Sequence, residues 1–128
     1  MTQEEAVSHW RKRARAEMKA AQALFEKQDS ELYGEVLFHC HLALELALKA
    51  AYIREKNAAA PFTHDLNEIA DALREESIKF EREAFEEITE FAILSRYGDE
   101  EWHASHATRE KAEEWLSKTQ KFIFNILP

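Results

Sequence analysis

The chain has 128 residues, with 17 Lys and Arg against 25 Asp and Glu for a net charge of −8, and only two Gly, two Pro and one Cys. So few chain-breaking residues over that length describe one compact domain, long enough to bury a core. The acidic balance excludes a general nucleic-acid coat, whose affinity comes from neutralising many phosphates, and Cys40 alone can form no intramolecular disulfide.

Ala, Leu, Glu, Lys, Arg and Gln dominate and β-branched residues never alternate over a strand length, so the fold class read from the sequence is all-α. The first helix spans about residues 2–27, with Thr2 or Ser8 as its cap. Trp10, Ala14, Met18, Ala21, Leu24 and Phe25 form its inward stripe. Arg11, Lys12, Arg13, Arg15 and Lys19 crowd the other face, read as a solvated surface with a binding stripe as the alternative. Residues 28–34, with Asp29, Ser30 and Gly34, make a connection short enough for an antiparallel neighbour.

The second helix, about 35–56, is apolar almost all round, so it is either central or covered by another chain. Its polar exceptions, His41, Glu45 and Lys49, recur every four residues and share one stripe. That stripe is either an ion pair with a histidine above it or a shell supporting the Arg96 loop. Residues 57–63 form a linker that leaves the helix before Pro61. Thr63 or Asp65 restarts a helix, Asp65 with Glu68 resembling a capping box, and Leu66, Ile69, Ala70 and Leu73 face inward. His64 reads as a turn or cap residue rather than a ligand.

Residues 75–79 are a charged break. The helix over about 80–97 follows, with Phe85, Ile88, Phe91, Ala92 and Ser95 at helical spacing, and Gly98 is expected to close it at positive φ. His103 is placed a loop-length beyond, and Ser105 or Thr108 starts a last helix whose inward stripe runs from Ala112 through Trp115, Leu116, Thr119, Phe122 and Ile123 to Ile126. The N-terminus has no signal-peptide pattern and no apolar stretch is expected to approach membrane-spanning length, which predicts a cytoplasmic protein.

Chemistry concentrates between Phe91 and His106, where the apolar pattern stops amid polar residues. Arg96 carries a permanent charge that forks onto phosphate oxygens, and His103 can hold or release a proton near neutral pH, which together suffice to act on a phosphodiester. Set against that, Arg96 could simply oppose the helix dipole or pair with Asp99 or Glu100. His103 and His106, three apart near Asp99 and Glu100, lack a clear third ligand, so no metal and no cofactor is expected. His39 and His41 point to different faces of their helix. Tyr97 and Trp102 are candidates to stack on a base, Trp102 equally a lid on the core or on a dimer. No Gly-rich phosphate loop and no nucleophile motif is present.

Three stretches in this order, Phe38-His39-Cys40-His41 continuing to Glu45 and Lys49, Pro61-Phe62-Thr63-His64-Asp65-Leu66, and Ser95-Arg96-Tyr97-Gly98-Asp99, resemble the HEPN domain family across nearly the whole chain. The resemblance implies an up-and-down antiparallel bundle of four to five helices that dimerises, with the loops after the Arg-bearing helices meeting at a two-fold axis. Active members are metal-independent RNases with Arg, four to six intervening residues, then His, and Arg96 to His103 has six. By that resemblance His103 would move the proton of a ribose 2′-hydroxyl and Arg96 would stabilise the charge on phosphate oxygens. The Arg-Tyr-Gly-Asp version looks more like the branch encoded beside small nucleotidyltransferases, whose members often lack a matching His. That branch implies the alternative of a non-catalytic nucleotide- or RNA-binding module partnering such a transferase. Ser105 stands where the toxin subgroup carries a Tyr that the transferase modifies with adenylate, so that modification does not carry over.

Overall fold

The computed structural model describes residues 1–74 and 82–126. Helix α1 runs Gln3–Glu26 and α2 Tyr33–Lys56; the short α3 covers Leu66–Ala70. Helix α4 covers Arg82–Tyr97, α5 Glu100–His106 and α6 Arg109–Ile126, with no strand among the described residues. The predicted charged break at 75–79 lies outside them.

Each boundary has a local cause. Thr2 caps α1, its Oγ1 accepting from the Glu5 N–H at 3.1 Å, and Glu4 and Glu5 oppose the helix dipole in the first turn. The chain leaves α1 through Gln28 at φ 52°. Gly34, expected in the connection, instead lies inside the first turn of α2, buried. Asn57 closes α2 in the left-handed conformation, its N–H donating to the Ile53 carbonyl at 2.9 Å, a role asparagine tolerates better than most residues. Asp65, rather than Thr63, caps α3 by accepting from the Asn67 N–H at 3.0 Å.

Helix α2 is the axis of the bundle. It packs against α1, α3, α4 and α6, so most of its apolar surface is covered within one chain, while Phe38, Leu42 and Leu46, four residues apart, stay half-buried. By length and composition Tyr33–Lys56 could cross a membrane, which corrects the expectation that no stretch would reach that length; 67% of its most apolar window is buried inside the fold. Leu37, Leu44, Leu48, Leu66, Ile69, Ile88 and Trp115 fill the core around it. On the α4–α6 seam, Glu87 accepts from Trp115 Nε1 and Lys111 Nζ, each at 3.2 Å, and this bond holds the lysine ammonium above its ordinary pKa.

The bundle delivers α4 to its C-terminal turn, and there two expectations from the sequence are corrected. Gly98 does not take positive φ. It is needed for room: a Cβ there would lie 2.5 Å from the Leu94 carbonyl oxygen and 3.1 Å from the Trp102 ring. The segment holding His103 is not a loop but helix α5, capped by Asp99, whose Oδ1 accepts from the Trp102 N–H at 2.8 Å. Thr108 then starts α6 by accepting from the Lys111 N–H at 3.2 Å, while Ser105 sits inside α5 and donates to the Glu101 carbonyl.

Candidate functional site

The first turn of α2 is the floor on which the site is built. Glu35 faces Arg96 with both carboxylate oxygens, Oε1 to Nη1 and Oε2 to Nη2, each at 3.4 Å. The guanidinium lies over the Phe38 ring at 3.8 Å from its centroid. Its planar head is therefore fixed by a ring beneath and a carboxylate along one edge, yet the side chain stays 42% exposed. In so open a place the pair contributes at most ~1 kcal/mol, so an incoming phosphate can compete with Glu35 for the guanidinium. The arginine's partner is Glu35, not Asp99 or Glu100.

Gly34, next in the chain, lies under His103. A Cβ at Gly34 would be 3.3 Å from His103 Cε1, 3.4 Å from Nδ1 and 3.6 Å from the Ser95 Cβ. The imidazole thus settles into the space the glycine leaves, and the residue preceding Arg96 borders that same space. Tyr33, one residue further back, lines a groove of about 550 Å³ together with His103, Thr108 and Arg109. Three consecutive residues, Tyr33, Gly34 and Glu35, therefore organise the groove, the imidazole and the guanidinium. Sequence reading missed all three, and also Arg109.

The aromatic candidates behave differently from one another. Tyr97 is 85% exposed beside Arg96. Trp102 is half-buried, stacked on His106 with centroids 5.5 Å apart and the planes at 13°, and edge-on to Phe91 at 5.9 Å and to His103 at 5.0 Å. Trp102 thus packs on the core and steadies α5, and Tyr97 is the ring left open to a ligand.

The His41, Glu45 and Lys49 stripe is buried, and its hydrogen bonds run to the turn before α3 rather than to the Arg96 loop. Lys49 Nζ donates to Glu45 Oε2 at 3.1 Å, His64 Nδ1 donates to Glu45 Oε1 at 2.8 Å, and His41 Nε2 donates to the His64 carbonyl at 2.9 Å. Its place as a shell around Arg96 is corrected accordingly: the stripe clasps the His64 turn onto α2, and His64 is more than a turn residue. Burial lowers the His41 pKa, opposed by its bond to the His64 backbone. Cys40 is buried and its thiol is pushed up to about 12, which leaves no thiolate to act as a nucleophile. Among the described residues no group of three His, Cys, Asp or Glu side chains is placed to hold a metal ion.

The all-helical bundle is consistent with a HEPN-type architecture. The chain belongs to the HEPN domain family, whose pattern matches residues 7–125. No curated protein and no solved structure matches it.

Proposed function

We propose that this HEPN protein is a metal-independent endoribonuclease acting as a cytoplasmic homodimer, with Arg96 and His103 as its catalytic residues. The observation that carries the reading is the convergence at Gly34 and Glu35, where the His103 ring and the Arg96 guanidinium are set on neighbouring residues of one helical turn. In the reaction His103 takes the proton of a ribose 2′-hydroxyl as that oxygen attacks the adjacent phosphorus. Arg96 stabilises the negative charge growing on the non-bridging oxygens, and the 5′-oxygen leaves with a proton. The products are a 2′,3′-cyclic phosphate end and a 5′-hydroxyl end.

A second reading is favoured by the exposure of Tyr97 beside an arginine already held by Glu35 and Phe38. In it the chain is a non-catalytic nucleotide- or RNA-binding module, the ring stacking on a base while Arg96 grips a phosphate, and it partners a small nucleotidyltransferase.

Cleavage of a mixed single-stranded RNA in chelator separates the two. Wild type is expected to cleave, and His103→Ala and Arg96→Ala, at matched folded content, to lose on the order of 10²-fold or more in rate. No cleavage by wild type across a panel of RNAs, with nucleotide binding that depends on Arg96, selects the second reading.

A further inference from the structure

The basic stretch of α1 finds no role in the site above, and its geometry is specific. Arg11, Lys12 and Arg15 line a groove of about 490 Å³ between the start of α1 and the end of α2, where Arg54 joins them from the last turn of α2. Gln3, Glu4, Val7 and Ser8 complete the lining, so four cations face one carboxylate. Gln3 Nε2 fixes the junction by donating to the Ile53 and Arg54 carbonyls at 3.0 and 3.1 Å. Arg13, by contrast, turns away to pair with Glu17 at 3.3 Å. Among the described residues none of the four groove cations forms an ion pair, and the Nε of Arg11 is buried without a hydrogen-bond partner.

Like charges gathered in one groove repel one another, and a protein of net charge −8 has carboxylates enough to intersperse them. Here they line one groove from two helices, and among the described residues no carboxylate pairs with them. Arg11 and Arg15, four residues apart, stand one above the other on α1, while Lys12 and Arg54 widen the patch across the groove. Such an array suits several phosphates in succession better than a single one, because each guanidinium can fork onto its own phosphate.

We propose that this groove is a second, non-catalytic site that holds the phosphate backbone of a single-stranded RNA. The choice of RNA over other polyanions rests on the RNase reading above. Phe38, under Arg96, and Arg54 are sixteen residue steps apart on α2, so the Arg54 end of the groove lies about 24 Å from the site along the helix axis at 1.5 Å per residue. That is about seven stacked nucleotide steps at 3.4 Å each. A stacked strand contacting both Arg54 and the cleavage site would span that many steps, so the far end of the groove favours longer strands, and contacts to backbone phosphates do not read base sequence.

The test uses a labelled mixed-sequence single-stranded DNA of about 20 nucleotides, which has the backbone but no 2′-hydroxyl to cleave, and the matching RNA in chelator. The double variant Arg11→Gln/Arg15→Gln is expected to bind both at least fivefold more weakly. Its slope of log affinity against log salt should flatten by about 0.7 for each phosphate no longer neutralised. Arg54→Gln, on a different helix, should weaken binding in the same direction, which separates a groove effect from damage to α1. In cleavage the double variant should raise KM for long RNA more than for a trinucleotide. Wild-type affinity and salt slope in the double variant overturn the proposal, as does equal binding of inorganic tripolyphosphate, which assigns the groove to small polyphosphates. Groove-dependent binding by a wild type that cleaves nothing keeps the groove and removes the RNase reading.

Discussion

At the scale of single residues the sharpest constraint is the glycine under the histidine. In most helices Gly→Ala stabilises by about 0.5–1 kcal/mol, because alanine has less backbone freedom to lose. At Gly34 the new methyl would sit 3.3 Å from His103 Cε1, so the ring must give by a few tenths of an ångström. Gly34→Ala is therefore expected to leave the melting temperature unchanged or slightly raised while RNA cleavage falls roughly tenfold, since small misplacements of a catalytic group are costly. A stable variant with full activity would remove His103 from the chemistry. His41 makes a different prediction. The fold holds its pKa below the ordinary value near 6.5 through burial, with Glu45, Lys49 and His64 facing it, so below that value the unfolded chain binds the proton more readily than the native one. Stability is then full above about pH 6.5 and is lost as pH falls through the folded value. Urea midpoints measured between about pH 7.5 and 5.5 should decline in wild type and decline less in His41→Gln.

Among the elements, α5 is the one on which the site depends and the one least supported by packing. It has seven residues, none of them buried, and a helix that short does not persist unaided. Its supports are the Asp99 cap and the Trp102 ring. Asp99→Ala should cost about 1 kcal/mol and lower the melting temperature by a few degrees, but reduce cleavage far more, because His103 loses its fixed position before the bundle unfolds. Asp99→Asn keeps the cap and should restore both. The same weakness explains why the element was not legible in the sequence: without a buried stripe there is no apolar period to read, and Asp99 followed by Glu100 and Glu101 was the only signal of a helix start. Gly34 and Gly98 misled in a related way. In the sequence each reads as a breaker or a cap, whereas each gives room, one to an imidazole and the other to a carbonyl oxygen and an indole. The long helices, by contrast, were legible because their apolar residues recur with the period of the structure that buries them.

For the whole molecule, periodicity tells which residues of one helix share a face but not which helix they meet. That is why the stripe of His41, Glu45 and Lys49 was visible and its attachment to His64 was not, and why Arg96 could be paired in advance with nearby acids but not with Glu35, sixty-one positions away. The same limit applies to association. Most of the apolar surface of α2 is buried inside the chain, so a dimer has to be argued from what the folded surface still shows. Ile93 and Tyr97, one turn apart on α4, are 56% and 85% exposed and flank Arg96. Burying them against a partner would gain about 1.5–3 kcal/mol per side chain, four side chains across a two-fold axis. Association itself costs an estimated 4–15 kcal/mol, so the balance is narrow and a charge in the patch should tip it. Sedimentation at micromolar concentration is expected to give twice 15.0 kDa for wild type and the monomer mass for Ile93→Asp, with Tyr97→Asp shifted the same way. If two half-sites act together, Ile93→Asp should also lose cleavage although neither Arg96 nor His103 is altered, and raising its concentration should recover part of the activity. A monomeric wild type that cleaves at full rate would place the whole reaction on one chain, at the turn formed by Tyr33, Gly34 and Glu35.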